Sequence, residues 1–184
     1  MFIPRDARRC AIFIPNAQFG QHKVITQSGR ALATAVRADY AGLKSRLGHQ
    51  FGHDFVIRVG AFQEAVATAN LAFEGRGHLV FERRLCSTTD TGRGTDARLL
   101  LSETFLHSEY RLAVLCGQKS AFIGLLGQRQ ELITLKACQA LVVFLDNDYQ
   151  IVGMQVFVPS VTTFRRVGWK RRIKAGEVEE RQAA

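Results

Sequence analysis

Long apolar runs, paired cysteines and nucleotide-binding glycine signatures are all missing from this 184-residue sequence. Each absence removes a class of protein. The most apolar stretch, ALVVFLD, is cut by an aspartate far short of the roughly 18 to 20 residues a membrane-spanning helix needs. At the N-terminus, Pro4, Asp6 and Pro15 interrupt MFIPRDARRCAIFIP and no small-residue cleavage site follows, so the stretch does not read as a secretory signal. TGRGT has neither the GxxxxGK[ST] spacing of a P-loop nor the GxGxxG of a dinucleotide turn. Cys10, Cys86, Cys116 and Cys138 form no CxxC pair and lie in apolar settings such as RRCAIF and AVLCG, the pattern of small hydrophobes in a reducing compartment rather than of a disulfide or zinc framework. A cytoplasmic protein is the expectation.

What the chain does have is positive charge, placed unevenly. The formal net charge is +9, with 25 Lys and Arg against 16 Asp and Glu. Over residues 1–48 eight cations face two anions, and over 164–184 seven face three, whereas the middle is close to neutral. Such ends attract nucleic acid or an anionic membrane surface through contacts that salt screens. Many basic domains of this size also carry the same balance merely for solubility.

With 47% apolar residues the chain can bury the core of one domain. CAIFIP reads as a first strand. From Ser28, a cap, to Gly48, a stop, Leu32, Val36, Tyr40, Leu43 and Leu47 trace one apolar stripe of a helix. Arg30, Arg37 and Lys44 recur every seven residues beside it, which makes a basic ridge. DFVIRVG is a buried strand by its β-branched content, AFQEAVATAN a short helix, and LAFEGRGHLVFERRL a hairpin turned at Gly75 and Gly77 with Phe73, Val80 and Leu85 inward. CSTTDTGRGTDA is loop-like, and Asp96 is placed to cap a helix over 97–107 that puts Leu99, Leu106 and Tyr110 on one face. YRLAVLCG fits a helix end or a new strand. Residues 141–158 form a hairpin around NDY.

FRRVGWKRRIK, residues 164–174, holds six cations. As a helix it would scatter Phe164, Val167, Trp169 and Ile173 around the axis and bury a destabilising Gly168, at about 1 kcal/mol relative to alanine. As a strand it shows Arg166, Lys170, Arg172 and Lys174 on one side and Val167, Trp169 and Ile173 on the other, interrupted by Arg171. The strand reading completes a C-terminal β-meander. Its cations suit phosphate contacts, and they equally suit an edge strand protected against aggregation.

Candidate catalytic groups are sparse. Asp146 and Asp148, two apart at a strand end, are placed to share a divalent cation as in metal-dependent phosphodiester chemistry, yet they flank Asn147 in a stretch that already reads as a turn. Glu103 and His107 stand four apart on a helix, the spacing of an acid/base pair and equally of an ordinary surface pair. His49, His53 and Asp54 lie close in sequence, but Gly48 and Gly52 argue against a helix that would align the two imidazoles.

VVFLDNDYQIVG, residues 142–153, resembles the strand-turn-strand that opens the JAB-type domain of the RadC family, and FRRVGWKR falls near that family's helix. The likeness covers about thirty residues. It implies a helix where the residue pattern gives a strand. The chain has no histidine after His107, so the family's downstream histidine-rich metal motif has no counterpart, and the resemblance implies no metalloprotease-like chemistry.

The expectation is one α+β domain over 1–174, with a mixed or largely antiparallel sheet, two to four helices and a disordered polar tail over 175–184. Its expected function is that of a non-enzymatic nucleic-acid-binding or accessory protein, contacting DNA or RNA through Arg30, Arg37, Lys44, Arg166, Lys170, Arg172 and Lys174, without a cofactor or metal. The alternatives are a small divalent-metal nuclease built on Asp146 and Asp148, and an assembly subunit.

Overall fold

Three segments of the chain leave water on both sides, and their sequence shows it. CAIFIP, LAVLCG and ALVVFL are nearly continuous apolar runs, the signature of strands covered on both faces. In a computed structural model they form β1 (Arg9–Pro15), β4 (Leu112–Gly117) and β5 (Ala140–Leu145). The structure describes residues 1–15, 27–61, 63–73, 78–86, 94–106, 108–118, 121–122, 135, 139–159 and 165–167. The other elements are α1 (Gln27–Phe51), β2 (Phe55–Val59), α2 (Gln63–Phe73), β3 (His78–Phe81), a 3-10 helix (Arg83–Cys86), α3 (Gly94–Leu106), β6 (Ile151–Phe157) and β7 (Arg165–Val167).

The seven strands make one sheet in the order β3-β2-β4-β1-β5-β6-β7. β3, β2, β4 and β1 run parallel, while β5, β6 and β7 follow by antiparallel pairing. The expected α+β domain with a mixed sheet and a C-terminal meander is what the chain forms. Period-two alternation splits its strands between two cores. Cys10, Ile12 and Ile14 of β1 meet α1 and α2 on one face, and Ala11 and Phe13 meet α3 and Phe122 on the other. On the first face Tyr40 is the keystone, with its ring 5.7 Å from Phe73 and 5.0 Å from Phe157.

Several expectations are corrected. No hairpin joins residues 71–85. Ala65, Ala69, Ala72 and Phe73 recur at helical spacing and are buried, so α2 runs on to Phe73. β3 then pairs parallel to β2, which needs the crossover that α2 supplies. α1 does not stop at Gly48. It runs to Phe51, and Gly52, at φ 94°, provides the left-handed terminus, its N–H donating to the Gly48 carbonyl at 2.9 Å. On α3 the buried face is Leu100, Leu101, Thr104 and Phe105, whereas Leu99 and Leu106 are exposed. The stripe is rotated by one residue because Leu100 and Phe105 match the floor formed by β4 and β1. Over Arg165–Val167 the chain is a strand paired with β6, not the helix implied by the RadC resemblance.

Candidate functional site

In an open sheet with parallel strands, ligands collect outside the carboxyl ends at the point where successive connections leave for opposite faces. β1 is followed by α1, which packs on the first face. β4 is followed by Ala121 and Phe122, which pack on the second. β1 and β4 are neighbours, and Pro15 is the register partner of Gly117. The switch point therefore lies between these two residues.

The 3-10 helix builds the adjoining wall. Leu85 is fully buried, and its carbonyl accepts from the Gln118 N–H at 3.0 Å. A Cβ on Gly117 would stand 2.6 Å from that carbonyl oxygen, and one on Gly60 would stand 3.1 Å from it. The glycines ending VIRVG and AVLCG thus let the 83–86 turn lie across the ends of β2 and β4. This seating brings Cys86 Sγ to the Ala61 N–H, which donates to it at 2.8 Å. Cys86 is half-buried, whereas Cys10 and Cys116 are buried and burial raises both thiols above the ordinary cysteine range. Cys138 lies outside the described residues.

Four charged side chains fasten the same wall. Glu82 receives Arg84 Nε at 2.8 Å, Arg84 Nη2 at 2.9 Å and Arg58 Nη1 at 3.0 Å, and Arg84 Nη2 also reaches Glu103 at 2.8 Å. The Arg84 hydrogen bond, foremost, holds the Glu82 carboxyl below its usual range, and Glu82 in turn raises the Arg84 guanidinium above its own. Two guanidiniums face two carboxylates, so this cluster is electrically balanced. Arg58 Nε is buried and has no hydrogen-bond partner among the described residues.

The residues singled out in the sequence lie elsewhere. Arg37 and Lys44 line one cleft beside α2, as their spacing of seven requires, and Lys44 Nζ sits 4.3 Å over the Phe55 ring. Arg30 is on α1 and Arg166 on β7. Lys170, Arg172 and Lys174 lie outside the described residues, as does the 175–184 tail. β2, beneath Lys44, and β7 are five strand spacings apart, about 24 Å at ~4.8 Å each. Asp146 Oδ1 accepts from the Asp148 and Gln150 N–H groups at 2.9 and 2.8 Å, so it serves the hairpin turn in which Tyr149 takes φ 58°. Glu103 is held by Arg84, and His107 lies outside the described residues. His49 and His53 meet edge to face at 5.7 Å. Among the described residues no three His, Cys, Asp or Glu side chains converge to hold a metal ion. Among them, too, no helix is long and apolar enough to cross a membrane.

No family model matches the chain, and no curated protein matches it in sequence. Solved structures do resemble it in fold. SixA of Agrobacterium tumefaciens, assigned as a phosphohistidine phosphatase, has a TM-score of 0.52 at 12% identity, covering 85% of this chain and 100% of its own. A mycobacterial glucosyl-3-phosphoglycerate phosphatase has 0.54 at 14%, with 85% and 100% covered. A histidine-to-alanine mutant of an Entamoeba histolytica phosphoserine phosphatase, in complex with phosphoserine, has 0.52 at 11%, with 79% and 96% covered. At these identities the likeness establishes the fold. It also corrects the expectation of a non-enzymatic nucleic-acid-binding protein, for DNA and RNA alike, because the scaffold is one on which phosphatases are built. Charge counted along a chain reports attraction for anions in general and does not say which anion a fold receives.

Proposed function

We propose that the protein is a phosphatase-type enzyme that takes a phosphomonoester at the carboxyl ends of β1 and β4. The observation that carries this reading is the switch point at Pro15 and Gly117, on a sheet whose solved neighbours are phosphatases. Hydrolysis would break the P–O bond of the ester, with water supplying the oxygen that leaves on phosphate and the proton that leaves on the alcohol. The direct test follows phosphate release from p-nitrophenyl phosphate and phosphoserine, with tungstate as competitor, in the parent chain and in Gly117→Val. Release that tungstate suppresses and that Gly117→Val abolishes supports the reading. Neither release nor tungstate-sensitive binding of either ester overturns it.

A second reading, ligand binding without turnover, has its own support. Of the five histidines, His49, His53 and His78 sit toward the amino ends of the strands, and His22 and His107 lie outside the described residues. Arg58 and Arg84 are already matched by carboxylates. A fold neighbour that has lost a histidine to alanine still forms a complex with phosphoserine. Tungstate-sensitive binding of phosphoserine with no phosphate released would select this reading over the first.

A further inference from the structure

At the other end of the sheet the middle of α1 and the last turn of α2 border a cleft of about 230 Å3. Its floor is Ala41, Ala72 and Phe73, and its rim carries Arg37, Lys44 and His53 with the Ser45 hydroxyl among them. Among the described residues no carboxylate lines it, for Asp39 and Asp54 are absent from its walls, and Glu74, next to Phe73, lies outside the described residues. The Lys44 and His53 groups are held in place. The Lys44 ammonium lies 4.3 Å from the centre of the Phe55 ring, a cation-π contact that restrains an otherwise flexible chain. His53 folds back against α1 because Gly52 turns the backbone at φ 94° and Gly48 has no side chain. A Cβ on Gly48 would stand 2.6 Å from His53 Nδ1.

We propose that this cleft is a second binding site, for a small organic anion: a phosphate or carboxylate on a short apolar body. The Lys44 ammonium, with the His53 imidazole and the Ser45 hydroxyl, meets the anionic group, and Phe73 with the two alanines covers the apolar part. The volume is below the ~300 to 1,000 Å3 of ordinary small-molecule pockets, so the ligand is small. From Phe55 to Gly60 the chain extends about 17 Å at ~3.3 Å per residue, so the cleft is separate from the switch point. The site stands whether or not the carboxyl edge hydrolyses anything.

The experiment titrates phenyl phosphate into the intact 15N-labelled chain and follows amide shifts. Residues 37–45, 53 and 72–73 should move together. Lys44→Met should weaken this binding about tenfold or more, the loss of one charge-assisted contact. Ala41→Glu, at an exposed helix position, should abolish it without lowering the melting temperature. Because Ala41 is exposed on α1, that variant separates loss of binding from loss of fold. Shifts confined to residues near Gly60 and Gly117, affinity unchanged in both variants, or no saturable shift at any site would overturn the proposal. The first of those outcomes would leave the phosphomonoester reading intact.

Discussion

Replacing Glu82 by glutamine tests how the wall of the candidate site is held. The side chain is 11% exposed and joins Arg58 of β2, Arg84 of the 3-10 helix and, through Arg84, Glu103 of α3. Glutamine keeps the size and one acceptor oxygen but removes the charge, leaving two guanidiniums facing one carboxylate. Breaking a buried ion pair costs about 3–5 kcal/mol. Here the arginines are 21% and 32% exposed, so solvent screens part of the loss and about 2–3 kcal/mol remains. For a chain of this size that corresponds to a melting temperature lower by about 5–10 °C. The pH dependence has a fixed sign. Glu82's carboxyl is held below its usual range by Arg84, so its contribution is present above the unfolded value of roughly 4.3 and is lost as pH falls through the folded value. The gap between parent and variant should be constant from neutral pH down to about 5 and should close in more acid solution. Urea unfolding across that range is the assay. A variant within about 0.5 kcal/mol of the parent at neutral pH, the range of an ordinary surface change, or a gap that does not close in acid, refutes the account.

Three further outcomes follow from single positions. Gly117→Ala, whose Cβ would meet the Leu85 carbonyl at 2.6 Å, should destabilise the chain by about 1–3 kcal/mol and shift the amide resonances of residues 83–86 more than those of β5 and β6. Phe122→Ala removes a fully buried ring whose centroid is 4.7 Å from that of Phe13, and chemical denaturation should register a loss of about 3–5 kcal/mol. Among Cys10, Cys86 and Cys116, a thiol reagent at pH 8 should modify Cys86 first in the folded protein, because the other two are buried and their thiols are raised. Mass mapping that finds Cys116 labelled at the same rate would contradict that order.

The parts of the fold legible in the sequence are those fixed by near neighbours. The stripe of Tyr40, Leu43 and Leu47 faces the core as its spacing demands, and the hairpin around Asp146 forms as its turn residues demand. Pairing across distance was not legible. HLVF is apolar and short, so it fits an antiparallel return after Gly77 as well as a parallel partner for β2, and only burial of Phe73 on α1 decides between them. Likewise either face of α3 supplies two leucines, and the sheet beneath selects Leu100 and Leu101 over Leu99 and Leu106. Tertiary packing, not helical period, settles the rotation.

The candidate site was illegible for a related reason. Its wall is assembled from Gly60, Leu85 and Gly117, three positions that share no local pattern and meet only because β4 inserts between β1 and β2. Charge drew attention to both ends of the chain, yet the two basic stretches are parted by the sheet itself, with the ridge of Arg37 and Lys44 turned toward α2 and Arg166 carried on β7 at the far edge. A strand order in which β4 and β1 are adjacent and their connections diverge creates a crevice whatever the surface charge. The glycines ending VIRVG and AVLCG were the available signal, because a glycine at the end of a buried strand marks a place where another backbone or a ligand comes close. At Gly117 that neighbour is the Leu85 carbonyl, so any ligand at the switch point must share its wall with the 83–86 turn, and a substitution that moves the turn must alter ligand binding and the environment of Cys86 together.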